Sequence, residues 1–169
     1  MATIDLSRVP VFYHGYIQNV SVQPMEAAFK LHQTELLDAL QEVPESKWDY
    51  KYAEGKWSIK ELVQHVIDAE RIFAYRALCF ARKDETVLPG FDENTYVTSS
   101  GADKRNKSDL LEELGCVQRS SALLFKSFDE GQLNETGIAN GQSVYVKAIG
   151  YIIIGHALHH KKVLLERYL

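Results

Sequence analysis

Three of the six histidines of this 169-residue chain fall within one five-residue window near its C-terminus. His156, His159 and His160 stand in GHALHHKKVLLERYL, residues 155–169, each among apolar neighbours. An imidazole is costly to bury without a partner, so three in one apolar segment need a use. His156 and His160 are four residues apart, which on a helix places them one turn apart on the same face. That is the spacing at which two imidazoles can reach one metal ion. The opposing reading is a pair of core histidines satisfied by hydroxyls or carbonyls. His159 is rotated off that face and reads as a boundary residue. Metalloprotease chemistry is disfavoured, because Ala157 stands where the zinc-protease signature requires Glu.

A third ligand would decide between these readings. His65, in ELVQHVIDAERIF, is the candidate. The wheel places it at the margin of its helix's apolar stripe, where a metal would face a cleft and solvent could supply further ligands. The alternative is a half-exposed surface histidine. Asp68, three residues on, either orients His65 through a hydrogen bond or is a solvated helix acid. Glu70 points into the apolar stripe, where a carboxylate needs a partner. Pairing with an Arg or Tyr is expected, with metal ligation as the alternative. His32 falls on the inward face of the first helix and reads as a hydrogen-bonded core histidine. Arg76 either holds an anionic substrate group or makes a surface salt bridge. Phe91 and Asp92, in LPGFDEN, are candidates for a cleft mouth.

The elements that must position these residues are helical. In PMEAAFKLHQTELLDALQEVP the apolar residues Met25, Phe29, Leu36, Leu40 and Val43 recur at helical spacing between Pro24 and Pro44. A shorter helical piece is expected between Pro10 and Val20. Ser58 and Glu61 form a capping box that opens a second helix, with a stripe of Leu62, Val66, Ala69, Phe73, Ala77 and Phe80. A third is expected from Ser108 as cap to Gly131 as stop, with a stripe of Leu111, Leu114, Val117, Ser121, Leu124 and Phe128. The last runs from about Val144 to Tyr168, its stripe Ile149, Ile152, Ile153, Val163 and Leu164 enclosing His156 and His160. No strand pattern is evident. Four amphipathic helices joined by loops, two of them long, predict an all-α four-helix bundle, and loops of that length are often functional.

Composition excludes several classes. One domain, residues 1–169, is expected from the length. A net charge of −4 with no basic run argues against nucleic acid as a partner. No apolar run approaches a membrane span, and the N-terminal residues lack a basic-then-apolar signal pattern. A cytoplasmic protein is therefore expected. Cys79 and Cys116 read as reduced, half-buried small hydrophobes.

Two long blocks carry a resemblance. GKWSIKELVQHVIDAERIFAYRALCFARKDETVLPGFDEN (55–94) and NGQSVYVKAIGYIIIGHALHHKKVLLERY (140–168) closely resemble the DinB-like family, and the likeness runs from about Val9 to the end. It implies a four-helix bundle of up-down-down-up topology with long connecting loops. It also implies one divalent metal held by a histidine of the second helix and two of the fourth. Here those are His65, His156 and His160. Three neutral imidazoles suit Zn²⁺ first, with Ni²⁺ or Fe²⁺ as alternatives. Three protein ligands leave a coordination position open, and an open metal lowers the pKa of a bound water or thiol. Family members include thiol transferases that use bacillithiol and mycothiol-dependent isomerases. The implied function is a metal-dependent thiol transferase acting with a low-molecular-weight thiol, or a metal-dependent hydrolase. The alternative is a non-catalytic, stress-related bundle that binds a metal or small ligand. The expected partner is a small-molecule substrate, and a homodimer is common in such bundles.

Overall fold

The computed structural model describes residues 4–20 and 23–169. Along the chain the helices are α1 (His14–Gln18), α2 (Met25–Gln41), α3 (Ile59–Ala81), α4 (Glu93–Ser99), α5 (Lys107–Lys126), α6 (Glu130–Asn134) and α7 (Val146–Val163). The strands β1 (Thr136–Ala139) and β2 (Gln142–Tyr145) sit between α6 and α7. The four long helices, α2, α3, α5 and α7, form the bundle.

Side-chain contacts fix their directions. Phe29 of α2 stacks on Phe125 of α5 (5.1 Å between centroids), while Lys107, at the other end of α5, reaches the Gln41 carbonyl; these two helices are antiparallel. Met25 lies beside Gly150, and Glu35 pairs with Lys161, so α2 and α7 run parallel. Tyr168, beyond the end of α7, donates to the Trp57 carbonyl just before α3. Gly137, before α7, meets the ring of Phe80 near the end of α3, so α3 opposes α7. The order is up-down-down-up. The first two bundle helices lie diagonally, each flanked by α5 and α7. Among the described residues, no helix is long and apolar enough to cross a membrane.

The start of α3 follows from its sequence. The Ser58 hydroxyl accepts from the Glu61 amide, and the Glu61 carboxylate accepts from the Ser58 amide, satisfying two otherwise orphaned donors. Other boundaries depart from expectation. Asn106, not Ser108, caps α5; Asn106 keeps extended backbone and its side chain accepts from the Asp109 amide, while Ser108 is already inside the first turn. That helix ends at Lys126. Gly131 does not stop it but lies within α6, which opens with its own capping box between Asp129 and Gln132. The final helix begins at Val146 because a hairpin occupies the preceding residues. At its last turn the backbone widens to i→i+5 bonding over Leu164–Tyr168.

That hairpin overturns the expectation of no strands. Thr136 pairs with Tyr145 and Ala139 with Gln142. The turn is Asn140-Gly141, both at positive φ (52° and 69°), which is what a type I′ hairpin turn demands of its two central residues. The Asn-Gly pair is the signal the sequence offered. Leu88, in the long α3–α5 connection, bonds to the backbone of Ile138 and Asn140 and pins that connection to the hairpin.

The apolar core falls into two clusters. One gathers Phe29, Phe73, Phe125 and Ile152 at the hairpin end; the other gathers Leu36, Leu62, Leu114 and Leu164 at the opposite end. Buried polar residues separate them along every bundle helix: His32 on α2, Glu70 on α3, Gln118 and Ser121 on α5, and His156 on α7. Glu70 partners neither an Arg nor a Tyr. Its Oε2 lies 3.0 Å from His32 Nε2, both side chains being essentially inaccessible. His32 is therefore the hydrogen-bonded core histidine expected of it. Cys79 is buried and Cys116 exposed, both free, rather than two half-buried residues.

Candidate metal centre

His65 projects from the second turn of α3, and His156 and His160 project from successive turns of the antiparallel α7. Opposed helices bring residues 91 positions apart to one point. The Nε2 atoms of His65 and His160 each lie 3.1 Å from Nε2 of His156, and all three donor atoms lie within 4.8 Å of one another. His65 is 7% and His156 8% exposed, so the margin expected of His65 proves to be a buried floor.

Burial pushes His65 down to about 4, with the Glu93 carboxylate opposing the shift. His156 and His160 are held well below the ordinary histidine range, first by burial and then by their histidine neighbours. All three rings are neutral at pH 7. Three neutral imidazoles aimed nitrogen to nitrogen cannot all be satisfied by one another, because each ring nitrogen either donates one proton or offers one lone pair. A divalent cation would satisfy all three lone pairs at once. The residues therefore fit a metal, and the donor set suits Zn²⁺, Ni²⁺ or Fe²⁺. Among the described residues no fourth histidine, cysteine or carboxylate joins the cluster.

The cluster forms the floor of a cleft of about 430 Å³. Trp57, immediately before the cap of α3, lies over His65 at 4.7 Å between centroids. Tyr16 on α1 stands edge-on to His156 and His159 at 5.7 and 5.5 Å. This approach depends on Gly155. A Cβ there would meet the Tyr16 carbonyl oxygen at 2.1 Å, so only glycine lets α1 lie on α7 beside His156. Phe73, two turns along α3 from His65, is 6.3 Å from His156. Sequence reasoning missed Tyr13, Tyr16 and Trp57. The aromatic density of VPVFYHGY was the available signal.

The remaining candidates divide. His159 is exposed at the cleft edge and outside the triad, and Phe91 lines the cleft. Asp92 does not; it caps α4 by accepting from the Thr95 amide. The carboxylate of Asp68 accepts from the side-chain Nε2 of Gln64 at 2.9 Å and belongs to a neighbouring groove with Arg71 and Tyr96, not to His65. Glu70 faces His32. Arg76 is 4% exposed and, among the described residues, makes no surface salt bridge. It donates to the Pro89 carbonyl at 2.8 Å and lines the cleft.

No curated protein matches the sequence. Solved structures share the fold, among them the following two. One is YfiT from Bacillus subtilis, described as a probable metal-dependent hydrolase with an unusual four-helix bundle topology. It superposes with a TM-score of 0.72 at 15% identity, over 98% of this chain and 89% of that one. The other is a mycothiol-dependent maleylpyruvate isomerase, with a TM-score of 0.70 at 13% identity, over 85% of this chain and 61% of that one. The sequence model of the DinB superfamily matches residues 28–164, which include all three clustered histidines. The chain belongs to the DinB superfamily.

Proposed function

We propose that this protein is a metal-dependent enzyme that joins a small thiol to an electrophilic small molecule in the cleft between α1, α3 and α7. One observation carries the reading. Three neutral imidazoles converge on a cleft floor with, among the described residues, no fourth protein donor beside them, the donor pattern of catalytic rather than structural sites. His65, His156 and His160 would hold the ion, Zn²⁺ being the first expectation. When bound, the metal would lower the pKa of a thiol or water and supply a nucleophile at neutral pH.

The chain's own residues provide the rest. Trp57, Tyr16 and Phe73 wall the floor with aromatic surface, which excludes water and favours an apolar or planar substrate body. Opposed α3 and α7 fix the three nitrogens before any ligand arrives, so little reorganisation is needed. A thiol is preferred as co-substrate because the superposable isomerase is described as mycothiol-dependent. Hydrolysis is the second reading, since the structure matched over nearly the whole chain is described as a probable hydrolase.

Cobalt substitution tests this. Titrating Co²⁺-loaded protein with a small thiol should produce a sulfur-to-cobalt charge-transfer band in the near ultraviolet, absent in His160→Ala. Turnover of thiol with a reactive electrophile should then depend on the metal. A thiol that leaves the cobalt spectrum unchanged while the bound water titrates near neutrality would replace transfer by hydrolysis. If neither occurs, the enzyme reading fails and the site is a binding or structural one.

A further inference from the structure

Arg76 is a cation without a counter-charge. Its side chain is almost fully buried, yet among the described residues no carboxylate pairs with it. A buried charge left unpaired is expensive. It donates to the Pro89 carbonyl and the Tyr13 hydroxyl lies beside it; among the described residues that still leaves most of its five N–H donors uncommitted. Phe73 and Phe91 flank the guanidinium at 5.6 and 5.9 Å from their ring centroids. Aromatic faces hold the fork in place without neutralising it.

The group faces the same cleft as the histidines. His65, Ala69, Phe73 and Arg76 descend one side of α3, and all four line that cleft. The eleven residues from His65 to Arg76 put about 16 Å of helix axis between their Cα atoms. Phe73 bridges the two sites: its ring centroid lies 6.3 Å from that of His156 and 5.6 Å from the guanidinium carbon of Arg76. The gap left for a ligand is therefore on the order of 10 Å. Asn140 closes this end of the cleft, its side chain lying against Gly90 of the loop that Arg76 holds.

We infer that Arg76 is a carboxylate-binding subsite, and that the substrate or co-substrate is an elongated molecule with an anionic group about 10 Å from the atom that meets the metal. The planar fork matches a carboxylate with two parallel hydrogen bonds, which lysine cannot make. The flanking phenylalanines contact the apolar middle of such a molecule. This rests on the cleft being the substrate site.

The test compares mercaptooctanoate with its methyl ester on the Co²⁺-loaded protein, at fixed ionic strength. The charge-transfer band and titration calorimetry both report binding. The acid should bind about ten- to a hundredfold tighter than the ester. Arg76→Gln should bring the two affinities together, the ratio of acid to ester affinity being the readout. Arg76→Lys, which still offers a donor to Pro89, should reduce the preference at least threefold, and it answers the question if the Gln variant does not fold. Equal affinities in the unmodified protein, or an undiminished preference in either variant, overturn the subsite and leave the metal centre standing. If neither acid nor ester ligates the cobalt, the cleft reading fails too. That result is distinguishable, because the ester has no use for Arg76.

Discussion

The pair His32–Glu70 offers a sharp test of how the bundle tolerates polarity at its centre. The two side chains are 0% and 2% exposed and meet at 3.0 Å. Each also carries a buried atom without a partner among the described residues, His32 Nδ1 and Glu70 Oε1. Replacing Glu70 alone by Leu strands both ring nitrogens of His32 in apolar surroundings. Replacing His32 alone by Leu strands both carboxylate oxygens. Each single change should cost about 3–5 kcal/mol. The double replacement removes every stranded group and restores apolar contact between the two core clusters, so it should fall within about 1 kcal/mol of the unmodified protein or be more stable. Interaction between the two changes should thus be about 6–10 kcal/mol, far beyond the additivity seen for independent sites. Urea unfolding of the metal-free proteins, fitted for midpoint and slope, measures it, and the single variants should melt roughly 6–20 °C lower. The doubly substituted protein should still bind one metal per chain, because Glu70 faces His32 and not the triad. Additive single effects would refute the reasoning about stranded groups, and loss of metal from the double variant would return Glu70 to the coordination sphere.

Three further outcomes follow from the site. His65→Ala, His156→Ala and His160→Ala should each lose stoichiometric metal, measured by elemental analysis after dialysis, whereas His159→Ala should keep it. Chelation should lower the unfolding temperature of the loaded protein without unfolding it, since both core clusters persist; free metal at a hundred times its Kd should contribute about 2.7 kcal/mol. In the metal-free protein, acid should destabilise. Burial lowers His65 from 6.5 to about 4, so between those values the unfolded chain binds a proton that the folded one does not. That contribution is fully present above pH 6.5 and is lost as pH falls towards 4, amounting to about 3 kcal/mol for this residue. Stability of the metal-free protein that stays flat over that interval would contradict the burial argument.

The sequence alone carried what local physics determines. Helical periodicity located α2, α3 and α7 because burial of one face repeats every 3.6 residues, and SIKE marked the start of α3 because its two reciprocal hydrogen bonds are local. The four-residue spacing of His156 and His160 put them on one face for the same reason. Asn140-Gly141 was equally local, and the hairpin was legible there, though the four-residue strands are too short to show alternation. Tertiary packing decided the rest. His65 looks marginal on a helical wheel, and only the crossing of α3 against α7, with Trp57 laid over it, turns that margin into a buried floor. Glu70 found a histidine as its partner because α2 and α3 face each other diagonally across the bundle, a pairing that the spacing within either helix does not encode. Arg76 looked like a surface cation until the loop through Pro89 and Phe91, pinned by Leu88 to the hairpin, folded over it. A charge's environment is set by what the rest of the chain brings to it, and no residue's neighbours in sequence specify that.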